Sequence, residues 1–333
     1  MVKYIVKRLL LSIFIMMGVS MIIYFMIRLM PMNFVERQFS SLASSGGISK
    51  ERLHEIMAMY GLDDNSFGGI LKGYFSWLGS FLKGDMGTSF KYNQKVETII
   101  LENMGISFGI AFVSLILELI IAIPLGIKCA VNQYGKLDYT ATVVAMTLTA
   151  FPTFFLGNII IMLFADKLGW FDASLGLQST TLAIGASGWT KFIDMIWHLI
   201  LPMLVLVLLN VGSYMRYQRT NTLEVLSADY IRTARAKGLS EGQVVYKHVF
   251  RNTMIPLVTV MASTLPMLFG GAMITETVFQ IPGIGKITYD ALLIGDIPLA
   301  MGYNMFIAIL TVIGILLSDI MYAVVDPRVK LGK

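Results

Sequence analysis

Three groups of residues in this 333-residue sequence have the type and placement to do chemistry. The first is SADYIRTARAKGLSEGQVVYKHVFRN, Ser227 to Asn252, a basic, water-loving stretch in a chain that is apolar on either side. The second is a set of polar groups inside apolar runs: Glu118, Asn210 and Asp319. An ionisable side chain is costly within hydrocarbon, so such groups are functional candidates by default. Asp319 lies near the end of its run, where pairing with Arg328 is the simpler role. The third group is the histidines and cysteine. Cys129 stands alone, and His54, His198 and His248 are far apart. That excludes an intrachain disulfide, a cysteine-based metal site and zinc spacing. His198 reads as a capping or interface residue. GIGKITYD, Gly283 to Asp290, contains Gly-Lys without the following Ser or Thr, so it is not a phosphate-binding loop. No basic run is interleaved with aromatics, which argues against a nucleic-acid partner.

The basic stretch has helix punctuation. Ser227 is placed to cap a helix with Asp229 in its first turn, where a negative charge suits the helix dipole. Arg235 and Lys237 fall in the last turn, and Gly238 is the stop. Ser240 to Gln243 then has the capping-box form that opens a second helix. The expectation is two short helices about a Gly-Leu turn. Ala234, Ala236 and Gly238 are small enough for a partner's backbone to approach, and Arg232, Arg235 and Lys237 surround them with charge. Two readings stand together: a docking element for a soluble partner, or a solvated basic loop touching lipid headgroups.

What positions these groups is a set of membrane spans. The chain is 56% hydrophobic and only 14% charged, where soluble domains carry about 25% charge. Its apolar residues come in blocks long enough to cross a hydrocarbon core as helices. Six spans are expected, at about 9–30, 104–127, 140–165, 196–215, 254–275 and 302–325. Lys3, Lys7 and Arg8 precede the first block as in a signal peptide. The apolar run from Leu9 to Ile27 is too long for one and has no small-residue cleavage pattern, so it reads as a retained span. Pro124, Phe151-Pro152, Pro202 and Pro256 with Pro266 interrupt four spans. Membrane helices tolerate such breaks, which are either ordinary composition or kinks that let a bundle rock. With the N-terminus cytoplasmic, segments 1–8, 128–139, 216–253 and 326–333 hold 3, 2, 7 and 3 basic residues. The short opposite segments, 166–195 and 276–301, hold only Lys167, Lys191 and Lys286. Positive charge marks the cytoplasmic side, so both termini are expected there.

The segment 31–103 between the first two spans has helical patterns of its own. Ser49 begins one that carries Leu53, Ile56, Met57 and Tyr60 and stops at Gly61. A second carries Ile70, Leu71, Tyr74, Phe75, Trp77, Leu78 and Phe81. Such an aromatic amphipathic helix either lies in the membrane interface or packs on the bundle.

Several motifs in order give a family resemblance. DYIRTARAKGLSEGQVVYKHVFRNTMIPLVTV resembles the cytoplasmic loop of membrane subunits of binding-protein-dependent ABC importers, in particular the B-type permeases of the oligopeptide, dipeptide and nickel group. KGDMGTS (Lys83–Ser89), HLILP (His198–Pro202), TETVFQIPGIG (Thr275–Gly285) and DPR (Asp326–Arg328) are similar to segments of the same group. Three departures are visible, one of them that the proline comes later after the glycine than in the general pattern. The general loop pattern begins Glu-Ala-Ala, where this chain has Arg232-Thr233-Ala234. PMNF (Pro31–Phe34) stands where the group commonly has Pro-Gly-Asp-Pro.

The resemblance implies an all-α integral membrane protein with six transmembrane helices, like a type I ABC importer permease, with a helical extracytoplasmic segment between helices 1 and 2. It implies a pore built with a second homologous permease subunit, two cytoplasmic ATP-binding subunits and an extracytoplasmic substrate-binding protein, in a bacterial or archaeal cell membrane. ATP and Mg would be bound by the partners, and this chain would carry no cofactor and no catalytic residue. Tyr230, Arg232, Ala234, Arg235, Ala236, Lys237, Gly238 and Leu239 would form the ATPase-coupling element, and Glu118 and Asn210 are candidates for the substrate path. Oligopeptides are the first substrate expectation, with dipeptides, nickel chelates and haem as alternatives. An ion-coupled secondary transporter is the rival class, but neither inverted repeats nor several mid-membrane carboxylates are evident. An intramembrane protease would need a catalytic pair or a metal motif, and none is present.

Overall fold

Long apolar runs become long helices here because hydrocarbon leaves the backbone no other partner than itself. The computed structural model describes residues 2–29, 64, 66–172, 175–180, 182, 185–270 and 272–325, and these are all-α apart from one isolated bridge between Thr88 and Lys95. Helix α1 is Val2–Arg28, α2 Phe67–Leu82, α3 Val96–Val131, α4 Lys136–Ala150 and α5 Thr153–Ile161. Then come α6 Gly188–Leu226, α7 Asp229–Ala236, α8 Phe250–Gly270, α9 Met273–Val278, α10 Ile284–Ile294 and α11 Ile297–Val325.

Among the described residues, α1, α3, α6 and α11 each hold a stretch long and apolar enough to cross a membrane. A fifth is formed if α4 and α5 count as one span, although the pair bends by 101°. The bend falls at Phe151-Pro152, as the proline predicts, because proline can neither donate a backbone hydrogen bond nor allow a helical residue before it. The expected span 254–275 falls on α8 and on the break between Gly270 and α9. The helix expected over Ser49–Gly61, the PMNF and DPR segments and the side chains of Asp319 and Arg328 lie outside the described residues.

At the centre, α3 and α6 run side by side and parallel, since Glu118 meets Asn210 and, further along both helices, Gly126 meets Met215 and Gln218. Small residues allow this closeness. A Cβ on Gly126 would lie 2.7 Å from the Met215 carbonyl, and one on Gly212 would lie 2.7 Å from Ala145 of α4. Helix α6 is therefore held between α3 and α4. Further on, Gln218 donates to Thr253 at 2.8 Å and Tyr217 to the Pro256 carbonyl at 3.3 Å, which ties α6 to α8. Arg219 makes two bonds to Asp138 at the start of α4, at 2.6 and 2.7 Å.

The second pattern of the 31–103 segment is α2, capped by Ser66, whose hydroxyl accepts from Gly69. It packs on α1 through Ile70 and Tyr74, with Tyr24 and Trp77 beside them. The face that carries Phe75 and Leu82 is exposed, while Phe67, itself exposed, sets its ring 5.6 Å from that of Phe25 on α1. Of the two readings of this helix, contact with the bundle holds for one face only.

Candidate functional site

The basic stretch folds much as its punctuation suggests, with two corrections. Ser227 does not cap α7. It ends α6, its hydroxyl donating to the Glu224 carbonyl at 2.7 Å, and Ala228 occupies the N-cap of α7 without a side-chain bond. The reason is that α6 continues helical to Leu226, well past its apolar part, so Ser227 is used by the helix before it rather than the one after. The second correction concerns Ala234. It is buried, not presented at the tip, and joins Ile231, Val244 and Val249 in a small apolar cluster with Val225, Leu226 and Leu239 around it. Ile231 and Ala234 are three apart on one helix face, the spacing of an inward stripe. Burying such residues stabilises the element by roughly 1–3 kcal/mol each for the large ones, which a helix of this length needs in order to form.

The Ser240–Gln243 capping box is present, with both reciprocal bonds, and opens a single turn that passes into a π-helical Val244–Val249 and then α8. Gly238 has φ +79°, the left-handed conformation that a glycine stop requires. Around this apolar centre the outward face carries Tyr230, Arg232, Arg235, Ala236, Lys237 and Gly238, all exposed, with Leu239 half-buried. Arg235 is pinned by two bonds to Glu241, at 2.8 and 3.2 Å, which braces α7 against the following turn. Arg232 lies 3.4 Å from Asp229. The result is a compact, basic knob supported from within.

The two substrate-path candidates, 92 residues apart in sequence, are brought together. Asn210 of α6 donates to Glu118 of α3 at 3.2 Å and, with the same nitrogen, to the Leu206 carbonyl at 3.0 Å. Glu118 is only 4% exposed. Asn210 lines an open cleft of about 550 Å³, whose other walls are Thr149, Phe151 and Thr153 at the α4–α5 bend, Leu206 and Leu209 on α6, and Ala272–Thr275 at the α8–α9 break. Both chain breaks thus face one space. Irregular backbone at membrane depth is tolerated where it lines a cavity, and this cleft is where the fold exposes it. His198 is away from the cleft, its ring Nδ1 2.8 Å from the Asp194 carbonyl oxygen.

Sequence reasoning missed two buried carboxylates that organise the end of the bundle remote from the knob. Glu276, 1% exposed, accepts from the Ser107 hydroxyl at 2.6 Å and from the backbone N–H groups of Ala272 and Lys286 at 3.2 and 2.9 Å. One side chain therefore joins α3, α9 and α10. A Cβ on Gly283 would land on this carboxyl, and one on Gly285 would lie 2.9 Å from it, so the glycines of TETVFQIPGIG make room for its glutamate. Asp296, fully buried, accepts from Ser89 at 2.6 Å and from the Lys91 N–H at 3.1 Å. That bond docks KGDMGTS onto the start of α11. The glycine spacing after Glu276 was the available signal; the 169-residue separation from Ser107 hid its partner.

Comparisons with known proteins accord with this architecture. Residues 122–331 match the family described as binding-protein-dependent transport system inner membrane component. The chain is 35% identical to the oligopeptide transport system permease protein AppB of Bacillus subtilis over 99% of its own length and 100% of the relative's. It is 32% identical to the dipeptide transport system permease protein DppB of Escherichia coli K12, over 99% of both chains. The match sets aside the ion-coupled reading. In this family ATP is hydrolysed by partner subunits, and assembly brings together further permease, ATPase and binding-protein components. The chain belongs to the binding-protein-dependent ABC importer family, as a multi-pass inner-membrane permease of the oligopeptide/dipeptide group.

Proposed function

We propose that this chain is a pore-forming permease subunit of a peptide importer and that oligopeptides are its first substrate class. The observation that carries the substrate reading is the end-to-end similarity to a permease named for oligopeptide transport. Dipeptides are the second reading, supported by the similarity to a dipeptide permease of nearly equal identity. We further propose that the chain pairs with a second homologous permease, two cytoplasmic ATP-binding subunits and an extracytoplasmic binding protein. Six spans with both termini cytoplasmic would put the α7 knob on the ATPase side, a placement that the distribution of basic residues supports.

In this reading the ATPases grip the outward face of the knob: Tyr230, Arg232, Arg235, Ala236, Lys237 and Gly238. Ala234 and Leu239 act from within, by fixing the shape that is gripped. Closure of the ATPase pair would move the knob, and α6 would carry the movement to Asn210 and the cleft as a rigid-body shift. The energy comes from ATP bound by the partners.

Two experiments test this. Arg235→Glu and Gly238→Trp are expected to reach the membrane normally, to lose at least half of the co-purifying ATPase and to abolish uptake. Wild-type uptake together with wild-type ATPase recovery in both variants would sink the docking role. For the substrate, the binding protein encoded with this chain is purified and its bound ligand is identified by mass spectrometry. Peptides of four or more residues support the first reading, and dipeptides alone support the second.

A further inference from the structure

The turn between α3 and α4 holds a side chain in a conformation that its type resists. The Gly135 N–H closes the turn on the Asn132 carbonyl at 2.9 Å, and Tyr134 stands inside it with φ +62°. Glycine adopts that region freely, whereas a bulky residue there is strained. The glycine of this turn comes one residue too late to relieve it. What holds Tyr134 is Asp138, whose carboxylate accepts the Tyr134 N–H at 2.9 Å as well as both bonds from Arg219. The ring itself is 85% exposed, so the protein interior does not explain it. Strain kept for an outward side chain points to a function. The surroundings carry charge and hydrocarbon together. Cys129 and Leu137 meet across the turn, Sγ to carbonyl oxygen at 4.0 Å, so the end of α3 and the start of α4 lie side by side. Lys128 and Lys136, one residue before each, are exposed. From Lys128 to Tyr139 the one acidic side chain is Asp138, buried and taken up by Arg219, which leaves the segment a surplus of positive charge. Val131, Leu137 and Tyr139 are exposed beside the lysines, and Tyr139 heads an exposed stripe that continues down α4 through Val143 and Met146 at helical spacing.

We propose that this turn is a docking site for the headgroup of an anionic phospholipid. Lys128 and Lys136 pair with the negative headgroup, the Tyr134 hydroxyl donates to one of its oxygens, and Val131, Leu137 and Tyr139 meet the upper part of the acyl chains. The proposal does not depend on which solute the importer carries. A soluble partner would have no use for the apolar stripe that leads from the turn into the span. A phospholipid presents charge and then hydrocarbon in that same order. Lysine stems lie along apolar surface while the ammonium reaches the headgroups, and tyrosine belongs to that boundary. Net negative charge is selected because basic side chains at a membrane surface favour anionic over zwitterionic lipid. Asp138 is then a positioning residue. Its pairing with Arg219 ties the turn to α6, so a bound lipid steadies the same helix that leads to the α7 knob.

The test uses the complete importer in vesicles of phosphatidylcholine and phosphatidylglycerol in equal amounts. Exposed Gln133, in the turn but outside the proposed contacts, is replaced by the photo-crosslinking residue p-benzoylphenylalanine, and the adducts formed on irradiation are identified by mass spectrometry. Phosphatidylglycerol adducts are expected to outnumber phosphatidylcholine adducts, with each lysine worth about fivefold. Lys128→Gln and Lys136→Gln should each lower the ratio by about that factor, and the double variant should bring it to about one. Tyr134→Gly, which the backbone accepts without strain, is expected to lower the ratio while Tm in detergent stays at or above that of wild type. The same crosslinker at Val144, exposed further along α4, should take both lipids equally. Equal adducts at Gln133, a preference that survives the double lysine variant, or the same preference at Val144 would each overturn the site. Adducts on an ATPase or on the second permease in place of lipid would overturn it as well, by giving the turn to a protein partner. A wild-type ratio in Tyr134→Gly would remove the strained tyrosine from the site.

Discussion

The Glu276 joint and the α7 knob use similar residues in opposite ways. At the joint the charge is inside: a carboxylate 1% exposed gathers a hydroxyl and two backbone N–H groups from separate helices. At the knob the charge is outside, and Ile231, Ala234, Val244 and Val249 form the interior. Their glycines differ likewise. Gly283 is there because a side chain has no room; Gly238 is there because of its backbone angle, and nothing lies within 4 Å of where its Cβ would be. A satisfied inward carboxylate fixes helices to one another, since leaving its partners unpaired is costly. Charge turned outward on a small apolar support holds little together, and it leaves a surface for a soluble partner.

Breaking the joint should have the largest effect. Gly283→Ala would push a methyl onto Glu276 and to 2.6 Å from the Ser107 hydroxyl, and a loss of about 3 kcal/mol or more is expected from overpacking together with broken hydrogen bonds. Thermal unfolding in detergent would show it as a lowered Tm. A wild-type Tm would mean that the carboxylate is not the fixed centre described here. The Asp138–Arg219 pair is intermediate, with side chains 5% and 22% exposed. Asp138→Ala should cost about 2 kcal/mol, below the range for fully buried pairs. Exchanging the two charges in a double variant should recover part of the loss in a double-mutant cycle, and strict additivity would remove the pair from the account. At the knob, Gly238→Ala introduces strain without a clash and should cost only about 1 kcal/mol. If Gly238→Ala unfolded the protein as Gly283→Ala is expected to, the contrast between the two glycines would fail. Smallest of all, Arg235→Ala should change stability by about 0.5 kcal/mol, as exposed ion pairs do. The sharper readout there is ATPase recovery, which should fall although Tm stays.

The local features of this protein were legible in the sequence. Apolar runs gave the long helices, Phe151-Pro152 gave the bend, and Ser240 with Gln243 gave the cap, because each is decided within a few residues. Ser227 was misread because a serine between two helices serves either one, and only the extent of the preceding helix decides which. The burial of Ala234 was available from its spacing to Ile231 but was hidden by the charged residues around it, Arg232, Arg235 and Lys237. Glu276 and Asp296 were not legible at all. Their partners, Ser107 and Ser89, lie 169 and 207 residues away, and no local pattern encodes a hydrogen bond across that distance. Glu118 and Asn210 were each noticed as polar groups in apolar runs, but their pairing needed the parallel packing of α3 on α6.

Helix α6 sets a further constraint. After Pro202 it runs without a break through Asn210 and Arg219 to Leu226. Each residue added to a helix turns everything beyond it by about 100° and advances it by about 1.5 Å. The number of residues between Asn210 and Arg219 is therefore a phase setting, which aims one at the cleft while the other meets Asp138. A single alanine inserted there would leave composition, hydropathy and helix intact and still put the two ends out of register.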